Sequence, residues 1–217
     1  MKILIITATI TEADKLIEFL KLKKQSDYIY SSETYETDLL ISGVGIPAIV
    51  FSMLTYHKIS TYELIVNCGI AGSYNEKLQI GSVSNICSDS FGDIGFNTEN
   101  GFENVFDSKF NDKFINIFNN GFIYNSSDYP VFFKDLQKTK SVTVNIPEIR
   151  NYPDTDLETM EGAAFMMVCK YFKKNYIQIR GISNIIGNTE RKDWNFRKPI
   201  SNYSEIISDY IISISKR

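Results

Sequence analysis

Leu64-Ile65-Val66-Asn67-Cys68-Gly69-Ile70-Ala71-Gly72 reads as a near-continuous apolar strand, Leu64 to Cys68, closed by a glycine-rich turn. A strand apolar along its whole length belongs in a sheet covered on both faces, the usual setting of parallel strands joined by helices. Lys2 to Ile6, Thr34 to Ser42, Ser82 to Ser88, Val142 to Ile146 and Tyr176 to Ile182 read as further strands, with a shorter one at Tyr28 to Tyr30. Helices fall between them. Thr11, with Asp14 three residues on, offers an N-cap for a helix whose face is Ala13, Leu16, Ile17 and Leu20. Pro47 suits the first turn of a helix whose apolar residues run from Ile49 to Tyr56. Met160 to Phe172 forms another helix, and Ile206, Ile207, Tyr210, Ile211 and Ile214 line a C-terminal one. Phe110, Phe114, Ile115 and Phe118 give a short helical stripe, and Asp89 to Asn104 reads as a loop. The expectation is an α/β fold over residues 1–217, one domain with a mostly parallel or mixed central sheet flanked by helices.

Composition narrows the function classes. Of 217 residues, 43% are hydrophobic and 23% charged, which excludes a disordered chain. The formal net charge of −3 gives no basic surface for nucleic acid, and Lys21, Lys23 and Lys24 read as a solvated helix end. No apolar run reaches the roughly 18 residues of a membrane span, and the N-terminus has no signal-peptide pattern. Cys68, Cys87 and Cys169 form no C-x-x-C pair, as in a reducing cytoplasm, and His57 is the only histidine. Schemes that need two or three imidazoles are therefore excluded. No metal or cofactor is expected.

Ligands of such sheets bind beyond the carboxyl ends of strands. Thr7-Ala8-Thr9, with Glu12 close behind, follows the first strand. Gly43-Val44-Gly45 and Gly69-Ile70-Ala71-Gly72 follow two others, and Ser183-Asn184 follows the strand that carries Arg180. Glu158-Thr159-Met160-Glu161-Gly162-Ala163-Ala164 opens a helix with two carboxylates in an apolar stretch. Each has a plain alternative. Glu12 can serve the helix dipole alone, the G-x-G lacks the dinucleotide fingerprint, Met160 can be core, and Asn184 is a common turn residue. Glu161 is the exception, because a carboxylate beside Gly-Ala-Ala-Phe-Met-Met-Val is costly to bury unpaired.

Taken in order, T-A-T-x-x-E, G-V-G, G-I-A-G, L-E-T-M-E-G-A-A and I-R-G-I-S-N resemble the purine nucleoside phosphorylase and nucleosidase superfamily, over roughly residues 1 to 200. Within it, Met160-Glu161-Gly162-Ala163-Ala164, Ile182-Ser183-Asn184 and Trp194 are most similar to the futalosine hydrolases, bacterial nucleosidases of menaquinone biosynthesis.

The resemblance implies cleavage of an N-ribosidic bond in a small purine nucleoside. Glu12 takes the place of the general base that activates water, and Arg180 the arginine that positions it. Glu161 stands where a carboxylate accepts ribose hydroxyls and favours a cationic transition state, and Met160 packs on the sugar. Ala71 and Gly72 border the site, Ser183 adjoins the base residue, and Val144 and Asn145 fall where relatives contact the base. A structural ion pair with Glu12 is the alternative for Arg180. Asn184 replaces the aspartic acid of adenine-specific relatives; its amide offers a donor and an acceptor but no proton. That pattern leans to hypoxanthine, although asparagine also pairs with adenine. Water rather than phosphate is the expected acceptor, since no arginine lies near Gly43 or Gly69 and Ile70 occupies a turn position where relatives carry smaller or hydroxylated residues.

Phe91 and Phe96 either line the pocket or pack. Arg191, Lys192 and Arg197 are candidates for the carboxylate of futalosine's 5′ extension, with surface charge as the alternative, and Trp194 either stacks there or anchors its segment. The resemblance further implies a cytoplasmic homodimer or higher homo-oligomer. The alternatives are a 5′-methylthioadenosine or S-adenosylhomocysteine nucleosidase, and a nucleoside-binding protein without catalysis.

Overall fold

The computed structural model describes residues 1–99, 101–106, 117–147, 152, 154–187 and 191–216, except the side chain of Arg191. The first half holds β1 (Ile3–Thr7), α1 (Ile10–Phe19), β2 (Lys23–Lys24), β3 (Ile29–Ser31), β4 (Thr37–Ile41), α2 (Ile46–Thr55), β5 (Leu64–Ser73) and β6 (Val83–Ser90). Next come β7 (Gly95–Thr98), β8 (Gly101–Asn104), β9 (Phe118–Asn119), β10 (Phe122–Tyr124), β11 (Gln137–Thr143) and β12 (Leu157–Thr159). The chain closes with α3 (Gly162–Tyr171), β13 (Asn175–Ile185) and α4 (Arg197–Ser215). The architecture is the expected α/β one, a mixed sheet flanked by helices.

Two apolar layers pack the sheet. Along β1, Ile3 and Ile5 join the side chains of α1 and α4, while Leu4 and Ile6 join those of α2 and α3. The period of two along a strand thus feeds both layers. β1 lies parallel between β4 and β5. Five strands close on themselves: β5 pairs β13, β13 pairs β6, β6 pairs β11, β11 pairs β12 and β12 returns to β5.

That closure splits one edge of β5. β1 pairs with Leu64 to Asn67 and β12 with Gly72 and Ser73. Between these pairings the edge is open, and a side chain can reach the backbone there.

Several sequence expectations are corrected. Gly69 to Gly72 is no turn, because β5 runs straight through it, and β13 likewise runs through Ser183 and Asn184. The N-cap of α1 is Thr9, not Thr11, with a complete Thr9–Glu12 capping box. The segment after Asp89 contains the β7–β8 hairpin, and Asp89 itself lies in β6. β11 stops at Thr143, short of Ile146. Phe118 belongs to a short strand, while Phe110, Phe114 and Ile115 lie outside the described residues. Among the described residues, no helix is long and apolar enough to cross a membrane.

Candidate active site

A cavity of about 460 Å³ opens at the split edge of β5. Its wall brings together Glu12, Ala71, Gly72, Met160, Glu161, Ser183 and Asn184, seven of the ten residues singled out from the sequence. Arg180 stands just behind it, 2% exposed.

Glu12 sits at the third position of α1. Its Oε2 accepts the Thr9 amide and hydroxyl, each at 3.0 Å, and its Oε1 accepts the Ile70 amide at 3.1 Å. The Ile70 amide belongs to the open stretch of β5, so the gap between β1 and β12 is what gives the carboxylate its seat. Gly69 completes it. A Cβ there would stand 2.5 Å from Glu12 Oε1 and 3.6 Å from Arg180 Nη1. Glycine is present for close approach of side chains to a strand, not for a turn.

Arg180 reaches inward from β13. Its guanidinium donates to Asn67 Oδ1 and to the Ile179 carbonyl, while Nε is buried without a hydrogen-bond partner. It hydrogen-bonds these two oxygens rather than Glu12, with which it shares the surroundings of Gly69.

Glu161 is the N-cap residue of α3, yet its side chain makes no capping bond. Its Oε1 instead accepts the Gly45 amide at 2.7 Å. Gly45 precedes α2 with φ +90°, a conformation that favours glycine and turns its amide toward Glu161. Burial pushes the Glu161 carboxyl above its ordinary value; the Arg180 charge and the Gly45 amide oppose this, and the Glu12 charge adds to it.

Asn184 flanks Gly72. Its Oδ1 accepts the Ser183 hydroxyl at 2.8 Å, and its Nδ2 lies 3.3 Å from where a Gly72 Cβ would stand. The same Ser183 hydroxyl lies 3.1 Å from the Ala71 carbonyl, so its one hydrogen is shared between that oxygen and the nearer Asn184 Oδ1. Across Gly72 on the opposite strand stands Glu158, 8% exposed, whose Oε2 accepts the Tyr74 hydroxyl at 2.7 Å.

Other expectations part from the geometry. Val144 is fully buried and off the cavity wall. Asn145 is exposed and tied to Asp93, which accepts both its amide and its side chain. β11 ends at Thr143, yet the Val144 amide still donates to the Thr159 carbonyl at 2.9 Å, and Asn145 is the first of the two to reach the surface. Phe91 packs on Phe106 and Phe118 in the core. Phe96 lies on β7, off the cavity wall. Lys192 and Arg197 are exposed and line no part of the cavity, and the Arg191 side chain lies outside the described residues.

Sequence reasoning did not assign Thr9, Glu158, Val44, Pro147 and Phe196 to the wall. For Thr9 the signal was present, since Thr9-x-x-Glu12 has capping-box spacing. Trp194, noted in the sequence, lines the cavity as well.

Residues 2–212 match the phosphorylase superfamily, and the chain belongs to that family. Among solved structures it is similar to the 5′-methylthioadenosine/S-adenosylhomocysteine nucleosidase of Campylobacter jejuni, with 20% identity, TM-score 0.72, and all of each chain covered. A Neisseria meningitidis nucleosidase of the same name, in complex with methylthio-immucillin-A, aligns at 15% identity and TM-score 0.75 over 98% of this chain and 99% of that one. The Chlamydia trachomatis MTAN protein bound to adenine aligns at 16% identity and TM-score 0.72 over 98% of each. At these identities the likeness is one of fold. No curated protein matches the chain.

Proposed function

We propose that this member of the phosphorylase superfamily hydrolyses the N-ribosidic bond of a 6-oxopurine nucleoside, namely futalosine, and releases hypoxanthine. The observation that carries the base assignment is the Asn184 amide. With Oδ1 engaged by Ser183, Nδ2 is left as the group beside Gly72 at the cavity wall. Hypoxanthine presents two acceptors, O6 and N7, along the edge such a donor reads, and N1–H is a donor suited to the carboxylate of Glu158. Adenine shares the N7 acceptor, but at C6 it presents an amino donor where Nδ2 calls for an acceptor, and its N1 carries no hydrogen for Glu158.

The chemistry then follows from placement. Glu12 accepts a proton from the attacking water, its geometry fixed by Thr9 and Ile70. Glu161 accepts ribose hydroxyls with the lone pairs that Gly45 does not use, and its negative charge stabilises the cationic ribose of the transition state. Arg180 helps position the water. The departing base draws hydrogen bonds from Asn184 and a proton from solvent, because an amide has none to give.

A second reading, a 5′-methylthioadenosine or S-adenosylhomocysteine nucleosidase, has its own observation. Among the described residues the cavity wall carries no lysine or arginine, while Val44, Pro147, Trp194 and Phe196 give it an apolar side suited to a thioether. The names of the similar structures agree with it.

One assay separates these readings. The protein is incubated without phosphate with futalosine, inosine and methylthioadenosine, and the released bases are identified by chromatography. Hypoxanthine from futalosine supports the proposal, and adenine from methylthioadenosine replaces it with the second reading. Tight binding without turnover, by calorimetry, leaves a nucleoside-binding protein.

We further expect a homodimer or higher homo-oligomer, since Val44, Phe51 and Leu54 expose apolar side chains at and along α2. A monomeric mass by light scattering refutes this. A cytoplasmic setting is proposed on the same footing as the reaction.

A further inference from the structure

α3 begins with an arrangement that its own sequence does not supply. An N-cap residue normally turns its side chain back onto the amide of the second or third helical residue. Glu161 does not, since its carboxylate faces the cavity and Gly45. The amide of Ala163, second in the helix, donates instead to Thr143 Oγ1 at 2.8 Å, from the last residue of β11.

Thr143 is itself fixed. Its hydroxyl donates to Asp89 Oδ1 at 3.0 Å and meets the Thr159 hydroxyl at 3.1 Å. With the Thr143 hydrogen committed to Asp89, its two lone pairs are left for Ala163 and Thr159. Asp89 is fully buried and accepts three more hydrogen bonds, from the Ser90 amide at 2.8 Å, Ser141 Oγ at 2.5 Å and Gln178 Nε2 at 3.1 Å. Its carboxylate lies against the first turn of α3, where the helix dipole favours negative charge. A Cβ on Gly162 would stand 2.2 Å from both Asp89 Oδ2 and Gln178 Nε2. The glycine after Glu161 is thus the residue that admits the carboxylate.

From these contacts we infer that Thr143, backed by Asp89, is a surrogate N-cap for α3, and that it releases the Glu161 side chain from capping so that it can face the ligand. The two are positioning residues. The inference rests on the proposed role of Glu161 toward the ribose, and it assigns a purpose to a buried network that no step of the reaction uses. A helix whose cap residue must both terminate it and bind substrate faces two demands on one carboxylate; the cap from β11 separates them.

The test compares Thr143→Val with Thr143→Ser and Glu161→Gln. Each is assayed on futalosine, inosine and methylthioadenosine and on their 2′- and 3′-deoxy counterparts. Thr143→Val removes the acceptor at nearly constant volume, while Thr143→Ser keeps it. Thr143→Cys, with a weakly accepting thiol, replaces valine if that variant does not fold. The valine variant is expected to lose about tenfold of the wild-type preference for the hydroxylated sugar, the effect of a lost cap, and the serine variant to retain it. In the Glu161→Gln background the valine change should add nothing to the loss of preference, because the two residues act in series. A valine variant that melts lower but keeps the preference overturns the inference, leaving Thr143 a merely structural residue. Should the wild-type chain cleave none of these nucleosides, the proposed function fails on its own, and the cap is read from hydrogen exchange. The Ala163 amide then exchanges at least about tenfold faster in the valine than in the serine variant, and equal exchange overturns the cap.

Discussion

Gly69→Ala should cripple turnover while leaving the fold standing. Gly69 is not among the glycines with positive φ, so alanine meets no backbone penalty. The new Cβ would stand 2.5 Å from Glu12 Oε1, where ordinary contact begins at 3.4 Å, so the carboxylate must retreat by roughly 0.9 Å. That retreat stretches its bond to the Ile70 amide, already 3.1 Å long. Displacing a general base by about 1 Å costs on the order of 10² in rate. The overpacking itself costs about 1 kcal/mol, at the low end of such changes, because Glu12 is partly exposed and free to yield toward the cavity. Steady-state release of the base from whichever nucleoside the chain cleaves gives kcat and KM, and a thermal melt gives stability. The expected result is kcat down about a hundredfold, KM within a few-fold and a modest fall in Tm. A kcat within threefold of wild type refutes the argument that the Ile70 amide and the room above Gly69 fix the base.

Further outcomes follow from the same geometry. Glu12→Gln keeps the acceptor that meets Ile70 but cannot take a proton, so turnover falls on the order of 10² or more while calorimetry still detects ligand. Ser183→Ala frees the Asn184 amide to rotate, and the preference for hypoxanthine over adenine nucleosides should fall several-fold; an unchanged ratio places base choice elsewhere. Burial raises the Glu161 carboxyl above its ordinary 4.5, so the folded chain holds this proton more tightly than the unfolded one. The stability it contributes is therefore present below that value and lost as pH rises through the raised one. Glu161→Gln should accordingly melt higher than wild type at neutral pH, with the gap closing toward pH 4. A gap that widens on acidification contradicts this.

Legibility from sequence divided along physical lines. Apolar periodicity marks the elements, since burial on two faces leaves its trace residue by residue, and Glu161 stands out as a carboxylate beside a buried run, whereas Glu12, Arg180 and Asn184 gain weight only through the order of motifs that resembles the superfamily. The glycines misled. Gly69 and Gly72 read as a turn because glycine's local signal is conformational freedom, but here they make room for Glu12 and Asn184 against a straight strand. The hairpin after Asp89 was hidden in polar and glycine residues that also suit a loop. β11 ends at Thr143, three residues before the expected Ile146, a difference no local pattern announces. Least legible was the Asp89 cluster. Its partners Ser141, Thr143 and Gln178 are 52, 54 and 89 residues away, so no local sequence window could place them together.

The split edge of β5 also bears on how the chain is made. Glu161 meets Gly45 across 116 residues, Arg180 meets Asn67 across 113, and Glu12 meets Ile70 across 58. Such distant pairings form late, because the entropy of closing the intervening chain precedes any reward from the contact. On a ribosome, β5 emerges with one flank waiting for β12 and the other for β13, more than 80 residues behind. The cavity cannot exist before those strands arrive. The proposed activity should therefore appear, during refolding, only after the helical signal has recovered.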